Sequence, residues 1–169
     1  KLNYFISEDK SIGNEKPMML ETPQQDKAKD VFVNRTSYFK KFSDYLLKQT
    51  YVPIATKRKK GIKLQLEKVF YNASEVYLVI EVKNNSGIDF EIDYLNVYRV
   101  NGNNKRKASY QRLLQDVIYK YEMTNAITDK HSKRFVYVLP KFVLGNNEKL
   151  MLEMKELKGS RKVILRTKN

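Results

Sequence analysis

The chain of 169 residues carries 33 Lys and Arg against 19 Asp and Glu, a formal charge of +14, with no Cys, no Trp and one His. Lacking Cys, it has no disulfide, thiolate nucleophile or Cys-ligated metal, and with His131 alone it has no two-His site. No apolar run reaches the roughly 18 residues of a membrane-spanning helix, whereas a 41% hydrophobic fraction with 12 Tyr and 8 Phe suffices for a core in one domain, with or without an attachment.

Residues 1–22 mix charges with Gly13 and Pro17 and sustain no period, so they read as an extended lead-in. The first residue is Lys, and the expectation is a processed chain whose signal peptide was removed or lies outside this sequence. Thr22-Pro23-Gln24-Gln25 is a helix-start signature: Thr22 as N-cap, Pro23 in the first turn, and Gln25 closing a capping box. Ala28, Val31, Phe32, Phe39, Phe42, Tyr45 and Leu46 then recur at three- and four-residue steps, which predicts one amphipathic helix to about Lys48. Its aromatic stripe is expected to lie on the protein's own core, the alternative being a partner. Pro53 and Lys57-Arg58-Lys59-Lys60 read as a basic linker. Helix and linker thus occupy residues 23–60, and Gly61 opens a domain over residues 61–169.

From Ile62 the period changes to two. Ile62, Leu64, Leu66 and Phe70 share one face of a strand; Val76, Leu78, Ile80 and Val82 share the next; Ile88, Phe90, Ile92 and Tyr94 share a third, giving an antiparallel meander. Asn101-Gly102 signals a tight hairpin with a further strand starting near Lys105. Val117–Tyr121, Arg134–Leu139 closed by Pro140, Lys149–Leu157 and Lys162–Arg166 complete about eight strands, while Leu113-Leu114 fits a helix turn equally well. The fold class is mostly β: an immunoglobulin-like antiparallel β-sandwich preceded by one amphipathic α-helix.

No pattern in this sequence specifies catalysis, a cofactor or a metal. Asp89, Glu91 and Asp93 alternate along one strand, but they spread over about 13 Å and read as a solvated face. His131 lies in a polar loop between Lys130 and Lys133, and neither a Gly-x-Ser-x-Gly elbow nor a phosphate-binding Gly-rich loop occurs. Basic clusters stand at Lys57–Lys60, Lys105–Lys107, Lys130/Lys133/Arg134 and Lys158/Arg161/Lys162/Arg166. They suit phosphate, acidic proteins or anionic headgroups, as well as protection of sheet edges. Tyr110, Tyr119 and Tyr121 have the chemistry to stack on bases, though ordinary sheet contacts account for them as well.

The stretch Val82-Lys83-Asn84-Asn85-Ser86-Gly87-Ile88-Asp89-Phe90-Glu91-Ile92-Asp93-Tyr94 and the later Lys105-Arg106-Lys107-Ala108-Ser109-Tyr110-Gln111 carry a family likeness. So do Phe135-Val136 with Lys141-Phe142, Lys149-Leu150 with Glu153 and Glu156, and Gly159-Ser160-Arg161 before a last apolar strand. Over residues 61–169 the chain resembles the C-terminal region of the conjugative transposon TraN family of Bacteroides-type bacteria. The resemblance implies a non-enzymatic, periplasmic component of a conjugative DNA-transfer apparatus of the type IV secretion kind. Its implied partners are other envelope subunits, including an outer-membrane lipoprotein, with membrane association through those partners, no cofactor and no small-molecule substrate. Members of that family carry an N-terminal β domain and a linker ahead of the sandwich; this chain has a short lead-in and a helix there instead. The expected partner-binding residues are Lys105, Arg106, Lys107, Gln111, Arg134 and Arg161, with an edge strand over 105–111 as the contact. The rival expectation is a basic nucleic-acid-binding accessory protein of a mobile element.

Overall fold

The computed structural model describes residues 25–102 and 110–167, with side chains from Asn34 onward. The expected lead-in over 1–22, the Thr22 cap and a strand start at Lys105 lie outside these residues. The chain divides into two units, residues 1–35 and 36–169, and every strand belongs to the second.

Helix α1 (Gln25–Lys48) ends just before the segment leading to Pro53. One side chain from the sheet takes up a carbonyl of its last turn and one just beyond its end: Arg134 donates to Leu47 O at 2.7 Å and Gln49 O at 3.0 Å. Ten strands follow. The first sheet runs in the order β1-β2-β3-β8-β6, where β1 is Ala55–Lys59, β2 Ile62–Asn72, β3 Glu75–Asn84, β6 Tyr119–Tyr121 and β8 Ser132–Pro140. The second runs β10-β9-β4-β5, with β4 Phe90–Asn101, β5 Gln111–Gln115, β9 Glu148–Glu156 and β10 Lys162–Arg166; β7 (Ala126–Ile127) pairs with the start of β4. All pairings are antiparallel. The two sheets form a sandwich-like arrangement around Ile62, Leu64, Leu66, Leu78, Ile80, Phe90, Val97, Phe135, Leu152 and Val163.

The first sheet is covered on its other face as well. Phe39 and Leu46 of α1 are buried against Tyr77 and Val79 of β3 and Val136 and Val138 of β8, with Phe42 stacking edge-on to Tyr77 at 4.8 Å. Phe39, Phe42 and Leu46 of the stripe therefore serve the protein's own core, while Tyr45 is 56% exposed and the side chains of Ala28, Val31 and Phe32 lie outside those described. Burying each such side chain stabilises by about 1.5–3 kcal/mol.

Several expected elements change. Lys57–Lys59, expected as linker, forms part of β1, whose residues are almost all exposed, so that no alternation marks it. The expected meander stops after two strands, because β4 crosses to the second sheet. The buried Asn84 amide turns the chain there, donating to Ile88 O at 2.8 Å and Ile127 O at 2.9 Å. Asn101 is paired with Gln111 and lacks positive φ, so residues 102–110 join β4 to β5 where a two-residue turn was expected. Leu113-Leu114 is strand, not helix.

Two β-bulges, at Glu67 and at Asp93, shift side chains to the opposite face. Beyond Glu67, Val69 joins the inter-sheet core and Phe70 turns to the helix, 5.4 Å from Phe42. Beyond Asp93, Leu95 and Val97 point inward and Tyr94 outward. Phe70 and Tyr94 thus stand on the faces opposite to those the alternation assigned.

Candidate protein-protein interface

The outward residues of the second sheet surround one buried carboxylate. Glu153 interrupts the apolar run Leu150-Met151-Leu152 of β9 and is 4% exposed. Its register partner is Asn96 on β4, and the Asp93 bulge places Tyr94 beside it. Tyr94 Oη donates to Glu153 Oε1 at 3.0 Å, Lys162 Nζ of β10 lies 2.8 Å from the same oxygen, and Arg112 Nη2 of β5 donates to Oε2 at 3.0 Å. One side chain thereby ties all four strands of the sheet together.

Burial pushes the Glu153 carboxyl upward, but the hydrogen bonds from Lys162 and Tyr94 and the charge of Arg112 outweigh it and hold it below its ordinary value of 4.5. The Arg112 guanidinium lies 4.3 Å over the Tyr98 ring. Tyr94, bonded to the Glu153 carboxylate, and Tyr98, under the Arg112 guanidinium, make a surface of the residue types that anchor protein interfaces.

Beside this face runs β5. It is bonded to β4 on one side and, among the described residues, ends the sheet on the other. Leu113 lies opposite Arg99 and Leu114 opposite Tyr98, on the two faces of the strand, and they are 51% and 57% exposed. The Gln115 amide donates to the carbonyls of Leu113 and Leu114 at 3.0 and 3.1 Å, capping part of the backbone. A sheet-ending strand with exposed leucines on both faces is a template for an added strand.

Lys105, Arg106 and Lys107 lie outside the described residues. Gln111 is the exposed first residue of β5, at this edge. Two of the expected anchors are occupied within the chain. Arg134 holds the end of α1 and pairs with Glu67 through Nε at 2.9 Å and Nη2 at 2.7 Å, the bulge having aimed Glu67 toward it. Arg161 is 8% exposed and bonds Glu156, Ser86 Oγ and Asp89 O, stacked 5.0 Å from the Phe90 ring centroid. Both act as internal clamps: four of the five N–H donors of each guanidinium are engaged within the chain, which leaves little for another chain. Tyr119 and Tyr121 lie in the helix–sheet cluster, and Tyr110 Oη donates to Met151 Sδ at 3.9 Å.

The alternating carboxylates each meet an internal group: Asp93 lies 3.2 Å from Lys155, Glu91 3.8 Å from Lys158, and Asp89 accepts from Asp129 N at 3.1 Å. His131 is exposed, its Nδ1 donating to Asp129 O at 2.9 Å. The sequence reading missed Glu153, Tyr94, Tyr98, Arg112 and the two leucines. The lone acid inside the apolar run of β9 was the available signal.

A family model described as "Domain of unknown function (DUF4138)" matches residues 44–169. The chain belongs to the DUF4138 family. The DUF4138 match begins inside α1 and takes in every strand, the Glu153 face and the β5 edge. No curated protein and no solved structure matches the chain.

Proposed function

We propose that this DUF4138 protein is a structural, non-enzymatic component of a conjugative DNA-transfer apparatus of the type IV secretion kind, working in the periplasm through its β-sandwich. The observation that carries the reading is the edge of β5, unpaired among the described residues and flanked by the Tyr–Arg face around Glu153. An extended segment of another envelope subunit, such as an outer-membrane lipoprotein, adds to that edge by main-chain hydrogen bonds and buries Leu113 and Leu114. The resemblance of residues 61–169 to the TraN family supplies the apparatus and the compartment.

The strand order also supports an immunoglobulin-like assignment. β2-β3-β8-β6 runs as the A-B-E-D sheet of that fold, and β10-β9-β4-β5 as G-F-C with an added C′ strand.

The test combines location with contact. Protease added to cells should digest the protein once the outer membrane is permeabilised, before lysis. In the same cells L113K/L114K should lose cross-links to envelope proteins, while the free energy of unfolding of the purified variant stays within about 0.5 kcal/mol of the parent, both leucines being exposed. Protection until lysis sinks the periplasmic reading and returns the +14 charge to the nucleic-acid alternative. Unchanged cross-linking sinks the β5 contact.

A further inference from the structure

On the first sheet, away from β5, cations stand side by side on neighbouring strands. Arg58 of β1 is the register partner of Lys63 of β2, and Lys63 is the register partner of Lys83 of β3. Three positive side chains therefore share one row at strand spacings of about 4.8 Å. Like charges placed opposite each other weaken a sheet. Among the described residues only Lys63 is relieved, by Glu81 at 3.2 Å. With Lys59, Lys60 and Asn85, these residues line an open cleft of about 470 Å³. Among the described residues, Lys63 is the one cation of the five within ion-pair distance of a carboxylate; Glu156, which feels the charge of Lys60, is already held by Arg161.

The backbone here is fixed. Lys60 has φ 49 and Gly61 φ 78, the two left-handed positions of a tight hairpin between Lys59 and Ile62. The first of these is ordinarily Asn, Asp or Gly, so a lysine holds a conformation costly to its type at the mouth of the cleft. Gly61 lies so close to the next loop that a Cβ would meet Ser86 Cα at 2.5 Å, and its carbonyl accepts from Asn85 N at 2.8 Å. The hairpin tip is clamped to the loop that the buried Asn84 organises, so the cations are presented on a preformed frame.

We infer that this cleft binds a phosphate-bearing anion of headgroup size, either a lipid phosphate headgroup or a free phosphate compound. Phosphate oxygens accept several charge-assisted hydrogen bonds at once, which suits convergent Arg and Lys with an Asn amide beside them. The volume lies within the range of small-ligand sites. Among the described residues no aromatic side chain lines the cleft, so these residues offer no stacking platform for the bases of a single strand. The site is separate from β5 and stands independently of the contact proposed there.

The test is calorimetric titration of the whole chain with inorganic pyrophosphate, alongside flotation with phosphatidylcholine vesicles carrying phosphatidylglycerol. Saturable pyrophosphate binding should weaken at least about tenfold in R58Q/K83Q, the loss of two charge-assisted contacts. It should weaken less than about twofold in K40Q/K41Q, which removes equal charge from exposed positions of α1. R58Q/K83Q should unfold no more easily than the parent, because it relieves repulsion. Vesicle binding lost in the same variant assigns a lipid headgroup; pyrophosphate binding without vesicle binding assigns a free phosphate compound. Equal weakening by both double variants, or no saturable binding to either probe, overturns the proposal. Single-stranded DNA that displaces pyrophosphate and binds more than about a hundredfold tighter overturns the headgroup-size assignment.

Discussion

Replacing Arg161 with Met removes a buried guanidinium and keeps an unbranched apolar stem. In the parent, Arg161 Nε donates to Glu156 Oε1 at 2.9 Å, Nη1 to Ser86 Oγ at 2.6 Å and Nη2 to Asp89 O at 2.8 Å. Afterwards Ser86 Oγ retains Asn84 Oδ1 at 2.7 Å, while the Glu156 carboxylate keeps just the backbone N–H of residue 161, at 3.3 Å. Breaking a fully buried pair costs about 3–5 kcal/mol. With Glu156 13% exposed, we expect about 3 kcal/mol at neutral pH, or about 6–12 °C in Tm for a chain of this size. Far-UV circular dichroism through thermal and urea unfolding is the assay, since the chain has no Trp. The hydrogen bond from Arg161 holds the Glu156 carboxyl below its ordinary 4.5. A carboxyl depressed in the folded state stabilises fully above the unfolded value and loses that contribution as pH falls through the folded one. The gap between parent and R161M should therefore narrow as pH drops below 4.5, and R161M/E156Q should recover part of the loss. A cost under about 1 kcal/mol at neutral pH, or a gap indifferent to pH, would refute the buried-clamp reasoning.

Gly61→Ala should destabilise by about 2–4 kcal/mol, combining a left-handed backbone with a Cβ driven into Ser86. Gly87→Ala should cost about 1–2 kcal/mol, because its φ is also positive but nothing lies within 4 Å of an added Cβ; urea midpoints separate the two. Leu46→Ala, at a position 1% exposed, should lower the free energy of unfolding by about 2–5 kcal/mol in the same assay. Glu153→Gln should cost about 1–2 kcal/mol at neutral pH, discounted because Arg112 and Lys162 are each 38% exposed. It should also flatten the acid limb of stability, since the depressed Glu153 carboxyl stabilises above 4.5 and releases that contribution as pH falls.

Where one physical cause governed a pattern, the sequence displayed it. The three- and four-residue spacing of Phe39, Phe42 and Leu46 marked the helix because a single stripe faces the sheet. Alternation marked the start of β2 and all of β10, each with one inward face. The unbroken runs Val76-Tyr77-Leu78-Val79-Ile80 and Phe135-Val136-Tyr137-Val138-Leu139 already held the sign of strands covered on both sides. The bulges at Glu67 and Asp93 left no such trace: one extra residue reverses every later side chain, and its position depends on the partner strand. β1 and β5 expose both faces and so carry no period. Arg134 and Arg161 read as surface charges because their burial is set by residues far away in sequence, Glu67 for one and Ser86 and Asp89 for the other. The candidate interface was thus legible as an edge near Gln111, but its hub at Glu153 required the assembled sheet.

The two-sided cover on β3 and β8 also bears on how this domain can be cut from its chain. A piece starting at Gly61, where the alternating strands begin, or at Asp44, where the family match begins, drops Phe39. The Gly61 piece also drops Leu46, leaving Tyr77, Val79, Val136 and Val138 of the central strands facing water. Such a piece would retain every strand from β2 onward and yet present a new apolar patch, prone to self-association until another helix took its place. The smallest well-behaved fragment therefore begins upstream of Phe39, at a boundary set by what shields the sheet.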